Sequence, residues 1–266
     1  MKIDFHTHAF EDALAAKAMA ILESKSELKA PLDGRVSSLL QDLKGAGFDH
    51  AVVCPIATRP THWDGIRRWA HSIEEAHPEL TVLGSVHPAD EGILEHIDQL
   101  AAEGFKGVKF HPYYQEFAVD EARMFPIYER LAAHNMFGVF HTGFDVGFPL
   151  DRIGDPVRVK HVLEDLPSFR FIATHMGGWM LWNEVREHLL GRDIFIETSF
   201  SLEHLPPQDA RAMFLAHPAE RWLFGTDSPW QTLSAELAYW DALDLPAGLL
   251  EKAFGQNAAR LLRLSA

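Results

Sequence analysis

Two histidines near the start of the chain are the first residues whose types and spacing could do chemistry. Residues 2–8 read as a β-strand, in which alternate side chains point to the same face, so Asp4, His6 and His8 are predicted to share one face. Two neutral imidazoles on one face can converge on a single metal ion. The alternative interpretation is a solvated strand end with two incidental histidines.

Further polar residues follow the ends of later apolar runs. His111, His141, His175 and Asp227 each come directly after such a run or within a few residues of it. If these runs are parallel strands, their carboxyl ends meet at one rim, and the side chains lie together there. Imidazole and carboxylate are ligands that zinc and related divalent ions accept. The pattern therefore predicts one shared metal site.

The elements that must position these residues alternate between strand and helix. Strict alternation indicates a parallel sheet, and eight repeats in a chain of 266 residues fit an α/β fold of the closed (β/α)8 barrel, or TIM barrel, type. The alternative, an open doubly wound sheet, usually carries a G-x-G-x-x-G turn, which this sequence lacks. The predicted strands span residues 2–8, 49–56, 80–86, 106–110, 137–140, 169–173, 194–197 and 222–224. The predicted helices span residues 9–27, 36–44, 60–77, 90–103, 120–134, 156–166, 179–190, 207–216, 234–243 and 249–264.

Composition limits the class of protein. The chain is 47% hydrophobic and 23% charged, which is ordinary for a globular protein with a full core, and its net charge of -14 argues against a non-specific nucleic-acid binder. Its one cysteine, Cys54, excludes an internal disulfide and is predicted to be buried. We find no repeat or linker, no signal peptide and no apolar run of about 20 residues, so we expect a single cytoplasmic domain over residues 1–266.

Six segments together resemble the amidohydrolase superfamily, and most nearly its amidohydrolase-2 (amidohydrolase-related) branch. The resemblance runs from Ile3 to Leu264 and is carried by residues 3–8, 105–112, 140–143, 174–178, 223–230 and 257–264. It implies a (β/α)8 barrel and one of two activities. That branch includes hydrolases of lactones and amides, and zinc-dependent decarboxylases.

The resemblance also implies a role for each rim residue. His6, His8 and His141 would bind the metal, and Asp227 would ligate it and hold or deprotonate its water. His175 would polarise the substrate or shuttle a proton. The expected cofactor is one divalent ion, with zinc as the first choice and manganese as the alternative.

Lys109 and His111 lie two residues apart on the fourth predicted strand and so face the same way. In binuclear relatives a carboxylated lysine on this strand bridges two metals, and Lys109 is the candidate for it. The rival interpretation makes Lys109 a buried charge partner, for instance of Asp4, and makes His111 a contact to substrate or water. We expect one metal and keep two as the alternative. His87 is predicted to be structural.

Large side chains in the predicted loops suggest the walls of a small-molecule pocket. Tyr113, Trp179 and Trp230 are the residues that we expect to contact a substrate or support the site. Arg59, Arg67 and Arg152 could each bind a substrate carboxylate bidentately, and the sequence does not choose among them. The remaining aromatic and amide candidates are Trp63, Tyr114, Gln115, Phe117, Phe144, Phe148 and Trp182, the last of which we expect in helix packing.

These observations favour metal-dependent hydrolysis of a small ester, lactone or amide. The first alternative is a zinc-dependent, non-oxidative decarboxylase of an aromatic or unsaturated carboxylic acid. A TatD-like nuclease shares the segment Thr226 to Pro229, but the chain lacks the glutamate motif of such nucleases, and its charge of -14 disfavours nucleic acid. A non-catalytic binding protein on a decayed barrel is a fourth interpretation. The expected partner is a small molecule, without nucleic acid or membrane, and a homodimer is the expected assembly if the chain follows its relatives.

Overall fold

Eight parallel strands form the centre of the protein. The computed structural model describes residues 1–264. Hydrogen bonds link the strands in two runs, β1-β2-β3 and β4-β5-β6-β7-β8. Single parallel bridges join the runs, between Gly84 and Val108 and between Thr7 and Ser228, so the ring closes. The predicted (β/α)8 TIM barrel is confirmed. The strands are β1 (Ile3–Thr7), β2 (His50–Val53), β3 (Leu80–Val82), β4 (Gly107–Phe110), β5 (Phe137–Phe140), β6 (Arg170–Ala173), β7 (Phe195–Glu197) and β8 (Trp222–Leu223).

Helices surround the ring and follow its strands. The longer helices are α1 (Asp12–Ser26), α2 (Val36–Ala46), α3 (Trp63–Ala76), α4 (Ile93–Ala102), α6 (Phe125–Ala133), α7 (Pro156–Asp165), α9 (Pro207–Leu215) and α10 (Leu233–Asp241). The shorter ones are α5 (Pro112–Gln115), α8 (Trp182–His188), α11 (Ala247–Glu251) and α12 (Asn257–Leu262). Within residues 1–264, every helix is too short or too polar to cross a lipid bilayer.

Two apolar clusters fix the layers of the barrel. The inner cluster fills the ring with residues from alternate strand positions, such as Phe5, Val139 and Ile172, and includes residues of α12. The outer cluster lies between the other strand face and the helices, and it includes Ala51 and Val53 of β2 and Leu39 and Leu43 of α2. Strands buried on both faces are expected in a parallel barrel. The polar rim therefore stands on a rigid, fully packed base.

The first strand departs from simple alternation. Its register against β2 shifts between Asp4 and Thr7, as a β-bulge produces. Ile3 and Phe5 pack inside the ring, whereas the Asp4 carboxylate accepts hydrogen bonds from the backbone and hydroxyl of Thr226. The prediction that Asp4 shares one face with both histidines is therefore wrong, because the extra residue re-aims the side chains that follow it.

Element ends also differ from the predicted ones. The predicted helix over residues 249–264 is divided by a π-helical turn at Lys252–Gln256. A Cβ atom on Gly255 would lie 2.0 Å from the Met1 carbonyl oxygen, so the first residues of the chain approach this turn closely. The predicted helix over residues 179–190 is reduced to α8, and residues 179–181 belong to the loop after β6.

Candidate active site

The carboxyl ends of the strands open into one cavity of about 910 Å³. Its floor is formed by most of the residues that the sequence predicts for the metal site. Chemistry in parallel barrels is located at this rim because loops from every strand end meet there. The predicted site residues that line the cavity are His6, His8, Lys109, His111, His141, His175, Trp179, Asp227 and Trp230.

His6, His8 and Asp227 form the tightest group of potential metal ligands. The Asp227 Oδ1 atom lies 3.0 Å from His8 Nε2 and 3.4 Å from His6 Nε2. The Asp227 backbone N–H donates a 2.8 Å hydrogen bond to the His6 carbonyl, which ties the loop after β8 to β1. Burial alone would raise the pKa of the Asp227 carboxyl, but the hydrogen bond from His8 and nearby positive charge lower it overall. The Asp227 carboxylate is therefore ionised at neutral pH.

Two residues that the sequence reasoning missed orient His6. The Glu197 Oε2 atom lies 2.9 Å from His6 Nδ1, and Ser199 Oγ lies 3.0 Å from the same nitrogen. Glu197 also accepts from the Ser199 N–H at 2.5 Å and from its hydroxyl at 2.9 Å. When Glu197 accepts the His6 Nδ1 proton, Nε2 is unprotonated, which is the form in which a histidine binds a metal, as in other carboxylate–histidine–metal arrangements. Burial raises the pKa of Glu197 to about 8, and a cation at the rim would favour its ionised form. The available signal was a charged residue ending the apolar run Phe195-Ile196-Glu197.

His141 and His175 face each other through their inward nitrogens. His141 Nε2 lies 3.0 Å from the Phe144 carbonyl, and His175 Nδ1 lies 3.2 Å from the Ser199 carbonyl. Because a carbonyl only accepts, each outward nitrogen carries the proton, and the inward His141 Nδ1 and His175 Nε2 present lone pairs. These two atoms are 3.0 Å apart.

Two facing lone pairs at that distance repel unless a cation lies between or beside them. Burial lowers the pKa of His141, and it lowers the pKa of His175 to about 3, so a bound proton is not the cation at neutral pH. The donor set, with inward imidazoles at the carboxylate Asp227, therefore fits a divalent metal ion. His141 lies outside the close group formed by His6, His8 and Asp227. The potential metal ligand that lies nearest to the inward nitrogen of His141 is His175.

Lys109 lies beneath this group. Its Nζ atom is 2.9 Å from His6 Nε2. Burial lowers the pKa of Lys109, while the charges of Asp227 and Glu197 oppose that shift. The suggested pairing with Asp4 is wrong, since Asp4 turns to Thr226 and Lys109 points into the ring.

His111 belongs to a second group on the β4–β5 side of the cavity. Its ring stacks on His141 with centroids 4.3 Å apart. The Asp145 Oδ2 atom lies 3.4 Å from His111 Nε2 and 3.6 Å from His141 Nε2. Burial would raise the pKa of Asp145, but the hydrogen bond from His111 and the neighbouring imidazoles lower it well below its usual range. Asp145, which sequence reasoning also missed, is thus an ionised partner of both rings.

Several backbone positions at the rim adopt the left-handed conformation that favours glycine. The φ angles are 58° at His175, 56° at Met176 and 62° at Asp227. Such conformations cost free energy in non-glycine residues and concentrate at functional sites. The packing of the barrel holds the backbone of His175 and Asp227, two candidate catalytic residues, in this conformation.

The predicted substrate contacts divide into two sets. Trp179 and Trp230 line the cavity, whereas the buried Tyr113 hydroxyl donates to the backbone carbonyls of Gly143 and Asp151. Tyr113 thus supports the loop after β5 from behind the wall. His87 lies outside the cavity lining and accepts from the Ala89 N–H at 3.1 Å, as a structural residue does.

The three candidate arginines also separate. Arg67 binds Asp64 and Glu103, and Arg152 binds Glu184. Arg59 lines the cavity and has no carboxylate partner within residues 1–264. Arg59 is therefore the arginine that remains available to an anionic ligand.

The chain resembles known proteins over nearly its whole length. The model of a family described as Amidohydrolase matches residues 3–264. No protein with a curated function matches. An uncharacterised TIM-barrel protein from Bordetella bronchiseptica has a similar structure, with 18% identity, a TM-score of 0.76 and coverage of 98% of both chains.

Two solved structures with assigned activities are also similar. The 5-carboxyvanillate decarboxylase of Sphingomonas paucimobilis has 14% identity and a TM-score of 0.72, with 99% of each chain covered. A probable 2-pyrone-4,6-dicarboxylic acid hydrolase from Acinetobacter baumannii has 15% identity and a TM-score of 0.71, also with 99% of each chain covered. At these identities the similarity establishes the shared barrel fold.

Proposed function

The chain belongs to the amidohydrolase family, and we propose that within it the protein is a metal-dependent hydrolase of an ester, lactone or amide. The observation that supports the proposal is the inward orientation of the rim donors. His6, His8 and Asp227 converge, and the lone pairs of His141 and His175 face the same cavity. An ionised carboxylate beside neutral imidazoles is the donor set of a catalytic divalent metal site.

We propose that His6, His8, His141 and Asp227 hold the ion, with His175 beside it. Zinc is our first choice, and manganese is the alternative, because a 5-carboxyvanillate decarboxylase of similar fold from Novosphingobium aromaticivorans was solved with bound manganese. When bound, such an ion lowers the pKa of water and polarises a carbonyl.

The residues of the chain then perform the proton transfers. Asp227, whose side chain is 13% exposed to the cavity, accepts the proton of the attacking water and returns it to the leaving group. His175, whose inward Nε2 carries a lone pair, can accept a proton in the cavity and pass it on during the reaction. Glu197 and the Phe144 carbonyl keep His6 and His141 in the tautomers that present lone pairs inward.

Decarboxylation is the second candidate. It is favoured by the fold similarity to 5-carboxyvanillate decarboxylase and to 2,6-dihydroxybenzoate decarboxylase, and by the unpaired Arg59, which can hold a carboxylate. In that case the same rim would bind the acid and a protein group would protonate the carbon that loses carbon dioxide.

Turnover in isotopically labelled water separates the two candidates. Metal-loaded protein is incubated with lactones, esters, amides and aromatic acids in H₂¹⁸O, and products are analysed by mass spectrometry. Hydrolysis places ¹⁸O in a new carboxylate of the product, whereas decarboxylation releases carbon dioxide and leaves an organic product that has lost its carboxyl group and gained no ¹⁸O. The Asp227→Asn variant is the matched control. Carbon dioxide release alone would overturn the hydrolase proposal in favour of its rival, and hydrolysis that persists unchanged in the variant would refute the role of Asp227.

We further propose a small-molecule substrate and a cytoplasmic location. The net charge of -14 disfavours nucleic acid as a partner. The only cysteine, Cys54, is buried and free, which suits a reducing compartment. Fractionation of the producing cells, followed by detection of the protein, tests the location.

A further inference from the structure

Helix α1 presents an apolar stripe to the cavity instead of to the protein core. The buried side of α1 consists of Ala15 and Met19. The stripe consists of Leu14, Ala18, Ile21 and Leu22, which all line the cavity. These positions follow the i, i+4, i+7, i+8 spacing of one helical face, which normally packs against a core.

Two members of this stripe are unusually exposed for their size. Leu14 is 54% exposed and Ile21 is 58% exposed. An exposed leucine by itself needs no explanation, but a helical stripe over a cavity marks a binding surface. Among the described residues, Leu14 and Ile21 belong to neither of the two apolar clusters.

A second wall of the cavity carries apolar residues beside the charged Arg59, Asp64 and Arg68. Ile56 follows β2, and Ile66 and Trp69 lie on one face of α3. Val146, in the loop after β5, lines the cavity as well and is 42% exposed. The two walls enclose a groove whose inner end is the rim of histidines and Asp227.

Helix α1 is held in this position at its C-terminal end. The Lys25 Nζ atom lies 3.4 Å from the ring centroid of Phe148 and 4.5 Å from that of Tyr114. Cation–π contacts at such distances attach α1 to the loop after β5 and to α5. The stripe is therefore a fixed wall of the cavity.

The size of the cavity exceeds the need of a single aromatic ring. A volume of about 910 Å³ corresponds to about 30 water volumes, at about 30 Å³ each. A benzoate-sized molecule, of roughly ten non-hydrogen atoms, fills about a third of it by the same measure. The remaining space lies along apolar side chains that gain free energy when they are covered.

We propose that the substrate carries an extended apolar chain, which lies between α1 and α3 while its carbonyl end reaches the metal rim. The inference rests on the proposed function, because it names the substrate class of the same site. The occupant is part of the substrate, since the stripe and the catalytic side chains line one continuous cavity.

A series of methyl ketones tests the binding step without turnover. 2-Pentanone to 2-nonanone keep a carbonyl but have no leaving group, so no hydrolysis is needed. We expect the affinity of the metal-loaded protein to rise about fourfold per added methylene, the ratio expected for burying one CH₂. Isothermal titration, or quenching of the tryptophans that line the cavity, measures it.

Substitutions in the stripe test where the alkyl chain of the ketone binds. Because Leu14 and Ile21 are exposed, the double variant Leu14→Asp/Ile21→Asp should fold, and we expect it to weaken 2-nonanone binding at least tenfold while hardly changing 2-pentanone binding. Leu215→Asp is the matched control, because Leu215 is 49% exposed on α9 and does not line the cavity. Ala18→Phe, which fills the groove, should shift the preference to shorter ketones.

The outcomes distinguish this inference from the proposed function. Affinity that rises with chain length in a protein that hydrolyses nothing would support the apolar groove and count against the hydrolase. Equal affinity across the series would overturn the groove, whatever the activity. If the double variant instead converts a dimer into a monomer, in sedimentation analysis, with unchanged ketone affinity, the stripe is an interface between two copies and the inference is wrong.

Discussion

Replacement of Glu197 by glutamine should weaken metal binding although Glu197 would not touch the ion. Both of its oxygens accept hydrogen bonds from neighbouring donors. Oε1 accepts from the Ser199 N–H at 2.5 Å, and Oε2 accepts from His6 Nδ1 and from Ser199 Oγ, each at 2.9 Å. A glutamine must turn its NH₂ group towards one of these donors.

Each orientation of that amide has a cost. If the NH₂ group faces His6, the His6 ring must exchange its tautomer, which places a proton on Nε2, the nitrogen proposed to bind the metal. If it faces the Ser199 N–H, a buried donor loses its partner, at a cost of about 1–3 kcal/mol. Loss of an outer partner of a metal-binding histidine typically weakens metal affinity about 10–100-fold, or about 1.4–2.8 kcal/mol.

Glu236 provides the matched control. It is also buried, 1% exposed, but its Oε1 atom has no hydrogen-bond partner among the described residues. Burial raises the pKa of Glu236 well above its usual range, so the folded protein holds it protonated, and glutamine replaces it without loss of a charge. Competition with a chromogenic chelator should show weaker metal binding in Glu197→Gln only. Metal affinity within twofold of the native value in that variant, with the fold intact by circular dichroism, would refute the tautomer argument.

Three further results are expected. Elemental analysis should find about one divalent ion per chain, and His6→Ala or His8→Ala should remove most of it, because each deletes an inward nitrogen. Asp227→Asn and His175→Asn should both retain metal but lower kcat by roughly 10²-fold or more, the scale of general acid–base catalysis; a metal-free but folded His175→Asn would make His175 a ligand. Burial lowers the pKa of His217 from 6.5 to about 4, so the unfolded chain binds more protons between these values, and stability falls as pH decreases through them. Compared with His217→Gln in urea unfolding, the native protein should lose about 1.6 kcal/mol between pH 6.5 and 5, because the slope reaches about 1.36 kcal/mol per pH unit only below the pKa of the unfolded chain; an unchanged difference would contradict a neutral buried ring.

The barrel could be predicted because its signal is repeated. Each strand is a short apolar run, and a single mistaken boundary leaves the alternation intact. The rim residues after β1, β5, β6 and β8 follow from the same pattern, since parallel strands must end on one side. Their shared cavity is therefore a consequence of topology that periodicity alone can indicate.

The orientation of individual side chains could not be predicted in this way. The register shift between Asp4 and Thr7 gives His6 a different orientation from Asp4, and the composition of β1 does not predict this shift. Glu197 appeared only as the end of an apolar strand, and Asp145 as one polar residue of a loop. Both act through contacts with residues distant in the chain, and Glu197 lies 191 positions from His6. Such pairings depend on the closed ring and not on any local spacing.

The buried charges of the rim favour one metal ion over two. Lys109 is close to both Asp227 and Glu197, whose charges act on its pKa, and its own burial disfavours the ammonium form. Asp227 is ionised, whereas burial raises the pKa of Glu197 to about 8, so Glu197 supplies a second negative charge only when a nearby cation draws off its proton. With one dication and both carboxylates, Lys109 can remain neutral beside His6 without an uncompensated buried charge, which would be costly. A second dication would require additional negative charge at the rim. In the binuclear interpretation, a carbamate formed on Lys109 provides that charge. We therefore expect intact-mass analysis under non-denaturing conditions to find one ion and an unmodified Lys109. Two ions per chain, with the mass of a carboxyl group added to Lys109, would show that the second dication is balanced by modification of the lysine.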